Sequence, residues 1–312
     1  MKLSFIVPCY NEEENVAAFR DAVMQAFTGC SYDYEIVFID DGSKDNTLGV
    51  LRKIHAENKC PVKVVSFSRN FGKEAGIYAG MKHASGDYIS IIDADLQQRP
   101  EIVRNMVDIL DKQPQFDMVT AYQDQRDEGK VLSFFKKCFY RLINYLSDVQ
   151  LKRDASDFRT FRRCVADSIL SLGEYHRFSK GIFAWVGYNT CYIPYTVCKR
   201  TAGTSKWNFS SLCRYAIEGI VGYSTKPLRI ATFLGGLTAA ASLIYLIIVI
   251  FEKLITGIDI PGYATIIVLI LFLGGMQLFC IGIIGEYIGR IFEQSKDRPI
   301  YIAKEYLTYE EK

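Results

Sequence analysis

Hydrophobic positions follow three rhythms along the chain. Leu3–Val7, Tyr34–Asp40, Val62–Phe67 and Tyr88–Ile92 are short apolar runs rich in Ile, Val and Phe. Continuous runs of this length predict strands buried on both faces, as in a parallel sheet. Between them, Glu12–Phe27, Asp45–Asn58 and Lys73–His83 show helical spacing with polar faces, and Met118–Ala121 offers a further strand. A β-α-β-α-β-α-β order predicts an α/β fold, a mostly parallel sheet covered by helices on both faces. In such sheets ligands bind beyond the carboxyl ends of the strands, so chemistry is expected in the residues just after each run.

The third rhythm is unbroken. Ile230–Phe251 runs 22 residues without a charge and Gly262–Gly285 another 24. About 20 apolar residues suffice for a helix to cross the hydrocarbon core, so the pattern predicts a two-helix transmembrane hairpin. The connector carries Glu252, Lys253 and Asp259. Arg214, Lys226 and Arg229 precede the first span, and Arg290, Lys296 and Arg298 follow the second. By the positive-inside rule both termini and the large N-terminal part are expected in the cytoplasm of a multi-pass plasma-membrane protein. Leu3–Val7 is too short for a signal peptide and is stopped by Pro8 and Glu12-Glu13-Glu14.

From residue 128 the character is amphipathic. Lys130–Leu146 sets Val131, Phe134, Phe135, Cys138, Phe139, Leu142 and Ile143 along one stripe, with Lys136, Lys137 and Arg141 off its centre. Such a helix is expected either in the lipid interface or against the soluble core. Trp207–Tyr223 offers a second, ended by Lys226-Pro227. The expected divisions are therefore 1–127, 128–229, 230–285 and a tail over 286–312. The tail, with Arg298-Pro299-Ile300-Tyr301, has the reach to touch a neighbouring subunit, so a homo-oligomer is one expectation.

Composition sharpens this picture. The 312 residues hold 37 basic and 35 acidic side chains, a net charge of +2. That excludes a strongly basic nucleic-acid binder, and no nucleic-acid partner is expected. The average conceals a division: residues 1–127 carry −6, residues 128–229 carry +10 and the remainder −2. A mean hydropathy of +0.06 is high for a chain with 23% charged residues and reflects the two apolar spans. Nine cysteines, an odd number without a C-x-x-C pair, read as free thiols in a reducing compartment.

Four polar patches follow the four strands: Pro8-Cys9-Tyr10-Asn11-Glu12, Asp40-Asp41-Gly42-Ser43 with Asp45, Ser68-Arg69-Asn70-Phe71-Gly72-Lys73, and Asp93-Ala94-Asp95-Leu96-Gln97. One patch is an ordinary turn; four on one sheet edge describe a cleft. Neither G-x-G-x-x-G nor G-x-x-x-x-G-K-[ST] is present, which disfavours a dinucleotide dehydrogenase or a P-loop ATPase. Asp93 and Asp95, two apart, project to one side of an extended segment. Paired hard oxygens suit Mg²⁺ or Mn²⁺, which keeps waters and completes its shell with substrate phosphates.

With these residues the chain resembles the family 2 glycosyltransferases of GT-A fold, and within them the polyprenyl-phosphate glycosyltransferases. The resemblance rests on Val7–Glu13, Asp40–Asp45, Ser68–Glu74, Asp93–Gln98, Ser156–Arg159 and Arg200–Trp207, in that order ahead of two spans. It implies a nucleotide-sugar donor, likened to UDP-glucose or UDP-N-acetylglucosamine, and a polyprenyl (undecaprenyl) phosphate acceptor, with inversion at the sugar. Pro8, Tyr10, Glu12, Asp40 and Asp41 would bind base and ribose, Asp93 the nucleotide side, and Asp95 with Gln97 the metal. Lys73 would add charge to the cleft. Arg200, Ser205 and Lys206 would approach the lipid phosphate, chemistry that suits an anionic headgroup. Asp157 is expected as base or positioning residue, with a structural tie to Arg159 or Arg162 as the competing reading. The family's D-A-D-L-Q-D-P-P run departs here at Gln98 and Arg99, which leaves the metal ligands but puts the loop's shape in question. A processive polysaccharide synthase would need Q-x-x-R-W and more spans. A nucleotidyltransferase would need no hairpin. A non-catalytic sensor or scaffold for nucleotide sugars would be free to lose the acidic cleft, yet it is intact.

Overall fold

The protein is described from a computed structural model that covers residues 1–123, 144, 155–196, 220–256 and 262–309. Five strands and four helices alternate through the first part: β1 (Lys2–Cys9), α1 (Val16–Phe27), β2 (Asp33–Asp40), α2 (Thr47–Glu57), β3 (Val62–Phe67), α3 (Lys73–His83), β4 (Tyr88–Ile91), α4 (Pro100–Lys112) and β5 (Met118–Gln123). There follow β6 (Ala155–Arg162), α5 (Arg163–Leu170), α6 (Ser179–Trp185), β7 (Thr190–Tyr195), the long helices α7 (Lys226–Thr256) and α8 (Tyr263–Ser295), and β8 (Ala303–Leu307).

All eight strands form one sheet in the order β7-β5-β6-β4-β1-β2-β3-β8. Strands β4, β1, β2 and β3 are mutually parallel, with Val7 opposite Phe38 and Cys9 opposite Asp40. Alternation along each strand divides the core into two layers. Phe5, Val7 and Phe38 pack with Phe19, Val23, Leu51, Met106 and Leu110 of α1, α2 and α4. Ile6, Val37 and Ile39 pack with Ile77 and Met81 of α3, Ile169 of α5 and Ile182 of α6. Contact between α3 and β1 is close enough to require Gly80, because a methyl there would overlap Ile6.

Strands β6 and β7 and the tail strand β8 come from beyond residue 127, so the sheet crosses the division expected there. Antiparallel β6 lies between β4 and β5, which brings Asp157 to the same domain as the acidic loop. The tail returns to its own sheet: β8 runs antiparallel to β3, with Val65 opposite Tyr306, and the Ser68 amide donates to the Ile302 carbonyl at 2.9 Å. Tyr301 stacks on Phe67 at 4.8 Å, and Arg52 pairs with Glu305. The Tyr309 hydroxyl donates at 2.6 Å to Glu35, whose side chain is fully buried and also accepts from Ser4 and Ser85.

Helix α7 contains the first expected span, α8 begins one residue into the second, and both run past them at the outer ends. Both are long and apolar enough to cross a membrane, and their large apolar side chains, Phe233 and Leu278 among them, face outward. Apolar area of this extent in the open is stable in hydrocarbon, not in water. The Tyr287 hydroxyl donates to the Ser224 carbonyl at 2.6 Å and ties the helix bases together. Gln294 at the end of α8 accepts from the Tyr175 amide and donates to the Gly173 carbonyl, both at 2.8 Å, and Glu293 pairs with His176. The hairpin is therefore clamped to the sheet domain. Lys130–Leu146 and most of Trp207–Tyr223, the expected interfacial helices, lie outside the described residues.

Candidate active site

The four polar patches do converge, at the carboxyl ends of β1, β2, β3 and β4. The β1 and β2 loops are laced together: the Asn11 amide donates to Ser43 Oγ at 3.0 Å, the Lys44 amide to Asn11 Oδ1 at 2.8 Å, and the Glu12 amide to Thr47 Oγ1 at 2.9 Å. This leaves Pro8, Tyr10 and Glu12 partly exposed on the rim.

Asp40 and Asp41 are spent largely on the loops themselves. Asp40 accepts from the Ser43 amide at 3.1 Å and from Ser66 Oγ at 2.8 Å, and is buried. Asp41 accepts from the amides of Phe71 at 2.6 Å and Gly72 at 2.9 Å. Burial pushes the Asp41 carboxyl up from its ordinary value, against those two amides. Gly42 is what lets the loops meet: its φ is +63°, and a side chain there would overlap the backbone of Arg69. Asp40 and Asp41, expected to bind base and ribose, thus hold the loops after β2 and β3 together at the edge of the cleft.

At the centre stands Lys73, the first residue of α3. Its Nζ lies 2.6 Å from Asp93 Oδ1 and 3.7 Å from Asp157 Oδ2, so strands β4 and β6 and helix α3 meet there. Burial works against the lysine's charge, but Asp93 and Asp157 outweigh it and raise its pKa. For Asp157 burial is again the largest influence, upward. Lys73, Lys180 and Arg159 overcome it and hold the carboxyl below the ordinary range. Asp157 is thus a stable carboxylate paired with Lys73. Its structural tie to Arg159 is one of charge, since Arg159 spends a guanidinium nitrogen on the Ser156 carbonyl at 3.0 Å.

The acidic loop is locked by the very residue that departs from the family run. Buried Gln98 accepts from the Asp93 amide at 3.1 Å, and its amide nitrogen lies 3.4 Å from Asp93 Oδ2. Leu96 has φ +57°, which turns the chain so that the Gln97 amide donates to Asp95 Oδ1 at 3.1 Å. Asp95 and Gln97 both remain partly exposed. Among the described residues no three His, Cys, Asp or Glu side chains cluster to hold a cation by themselves. Two adjacent hard oxygen donors, short of a full shell, fit a Mg²⁺ or Mn²⁺ that takes the rest from water and phosphate. Arg200, Ser205 and Lys206 lie outside the described residues. Gln98 is the contributor that spacing did not single out for a role; its signal was the departure from the family run.

A GT-A sheet with an acidic loop after β4, bearing a membrane hairpin, defines a glycosyltransferase. The chain belongs to glycosyl transferase family 2, whose sequence profile matches residues 4–170, and the profile of the GtrB C-terminal hairpin matches residues 226–291. It is 41% identical to the putative glycosyltransferase CsbB of Bacillus subtilis over 97% of this chain and 91% of that protein. It is also 41% identical to the bactoprenol glucosyl transferase of Shigella phage SfV, over 97% of this chain and 98% of that one. A prophage bactoprenol glucosyl transferase homolog of Escherichia coli is 40% identical over 97% and 99%. Among solved structures, glucosyl-3-phosphoglycerate synthase of Mycobacterium tuberculosis aligns over 70% of this chain and 78% of its own, with 20% identity and a TM-score of 0.47.

Proposed function

We propose that the protein transfers one hexose from a nucleoside diphosphate sugar, UDP-glucose or UDP-N-acetylglucosamine first among the candidates, to undecaprenyl phosphate at the cytoplasmic face of the plasma membrane. The observation that carries this reading is Lys73 held between Asp93 and Asp157 on a sheet clamped to a two-helix hairpin. Similarity to bactoprenol glucosyl transferases along nearly the whole chain supports the lipid acceptor.

An oxygen of the lipid phosphate attacks the anomeric carbon, the bond from that carbon to the diphosphate breaks, and the configuration inverts. A phosphate monoester has a second pKa of about 6, so at neutral pH the nucleophile is already largely deprotonated. Asp157, held low by Lys73, is a poor proton acceptor and serves to fix Lys73. Lys73 keeps Asp93 turned toward the cleft. Asp95 and Gln97 would hold a Mg²⁺ or Mn²⁺ against the donor diphosphate, which supplies charge stabilisation for the leaving group. Pro8, Tyr10 and Glu12 border the nucleotide, in a pocket that Asp40 and Asp41 shape. Arg200, Ser205 and Lys206 bind the acceptor phosphate and offset its repulsion from the donor.

Asp95→Ala is expected to abolish transfer, and removal of divalent cations from the wild type to do the same reversibly. Arg200→Ala should instead mainly raise the KM for the lipid. Wild-type turnover in Asp95→Ala, measured as radiolabelled sugar entering the lipid phase, would contradict the assignment.

A further inference from the structure

Beside the 69–73 loop lies a cavity of about 500 Å³ that none of Pro8, Asp41, Asp93, Asp95 or Gln97 lines. Its walls come from the start of α3, from Tyr175–Phe178 ahead of α6, and from the bases of the hairpin at Tyr223 and Arg290. Among the described lining residues, four cations, Arg69, Lys73, Arg177 and Arg290, face one carboxylate, Glu74. Glu74 is turned toward α6, where it accepts from the amide and hydroxyl of Ser179. His176, on the same wall, is paired with Glu293.

The cationic wall is built in. Arg177 donates to the Leu172 carbonyl at 3.0 Å and lies over the Tyr78 ring at 4.7 Å, which fixes its guanidinium. Burial lowers its pKa from the ordinary arginine value, a cost that an anion in the cavity would relieve. Arg290 reaches the cavity beside Gly222, its Nη1 3.4 Å from where a Cβ would stand there. The first turn of α3, with Gly72 before it and no side-chain cap, opens onto the cavity and adds the positive end of a helix dipole.

Depth identifies the kind of anion. Arg290 lies five residues beyond Gly285, the end of the uncharged run, and so about 7 Å along the helix. That distance is the width of the headgroup layer beside the hydrocarbon core, roughly 5–8 Å on each side. Lys73 belongs to both the cavity and the cleft, so an anion seated here adjoins the reacting centre.

We infer that this cavity binds the phosphate of a membrane lipid, gripped by Arg290, Arg177 and Arg69 beside Lys73. The site rests on the membrane orientation given above and uses residues other than Arg200, Ser205 and Lys206. Two lipids carry the required group, the phosphomonoester acceptor and an anionic phospholipid such as phosphatidylglycerol.

The test uses the full chain, wild type and the variants Arg290→Gln, Arg69→Gln and Arg290→Lys, in phosphatidylcholine vesicles with or without phosphatidylglycerol. Retention of undecaprenyl phosphate and of phosphatidylglycerol is read by native mass spectrometry, and KM separately for acceptor and donor. With the acceptor as occupant, both Gln variants raise acceptor KM about tenfold without phosphatidylglycerol, donor KM stays put, and Arg290→Lys recovers part. With a phospholipid as occupant, phosphatidylglycerol stimulates the wild type and the Gln variants lose that response. Unchanged acceptor KM, phospholipid response and lipid retention in both Gln variants overturn the site. Arg290-dependent lipid retention by a wild type that transfers no sugar would leave the cavity standing and defeat the proposed reaction instead.

Discussion

Lys73 decides what Asp157 is able to do. With Lys73, Lys180 and Arg159 around it, Asp157 stays ionised through the neutral range, so its carboxylate has little tendency to take up a proton. The acid limb of activity then belongs to the acceptor phosphate, near pH 6. Asp157→Asn is expected to lower kcat about 10- to 100-fold by releasing Lys73, while the acid limb of the pH–rate profile stays where it is. Disappearance of that limb in the variant would make Asp157 the general base. At this scale the sequence placed the polar residues after each strand but not the partners they take up. Asp93 and Asp95 stand out by their spacing after β4, and Gln97 by the family resemblance. The clamp roles of Asp40 and Asp41 do not, because their partners, the amides of Ser43, Phe71 and Gly72, lie in loops whose approach no spacing encodes.

Among the elements, the buried strands β1–β4 and helix α3 stand within a few residues of where periodicity puts them, since each is fixed by a strong local pattern. Helix α4, absent from the expected elements, carries its own signal: Pro100 opens its first turn and Val103, Met106, Val107 and Leu110 repeat at helical spacing. Strand β8 carries no comparable signal: Ala303–Leu307 is short and mixed, and becomes a strand only by pairing with β3. What secures the tail is Glu35. Burial opposes its charge, yet bonds from Ser4, Tyr309, Ser85 and Lys63 pull its carboxyl down to about 2. A folded pKa below the unfolded one stabilises fully above the ordinary value near 4.5 and is lost as pH falls toward 2. Tyr309→Phe removes one donor and is expected to move the acid release of the tail to higher pH, followed as hydrogen exchange across residues 303–307. Identical protection down to about pH 3 in both proteins would mean that the tail is held by strand pairing alone.

For the whole molecule, a net charge of +2 is the sum of unlike parts. The acidic share belongs to residues 1–127, which carry the cleft, the basic share to the region leading into the hairpin, and the apolar share to α7 and α8. Sequence alone separated these regions, because each is a property of tens of residues. It missed that one sheet draws strands from residues 1–127, from 128–229 and from the tail, which follows from pairings up to hundreds of residues apart. The consequence is mechanical: through Gln294 and β8, the hairpin and its tail grip the domain on which Lys73, Asp93 and Asp157 meet. The central claim is transfer of one sugar onto a lipid phosphate. Its most direct test is to incubate the purified full chain with undecaprenyl phosphate, Mg²⁺ or Mn²⁺ and a panel of nucleotide sugars, and to weigh the lipid products. The account predicts a single added hexose or N-acetylhexosamine from one UDP-linked donor, lost in Asp95→Ala. No glycolipid from any donor would contradict it.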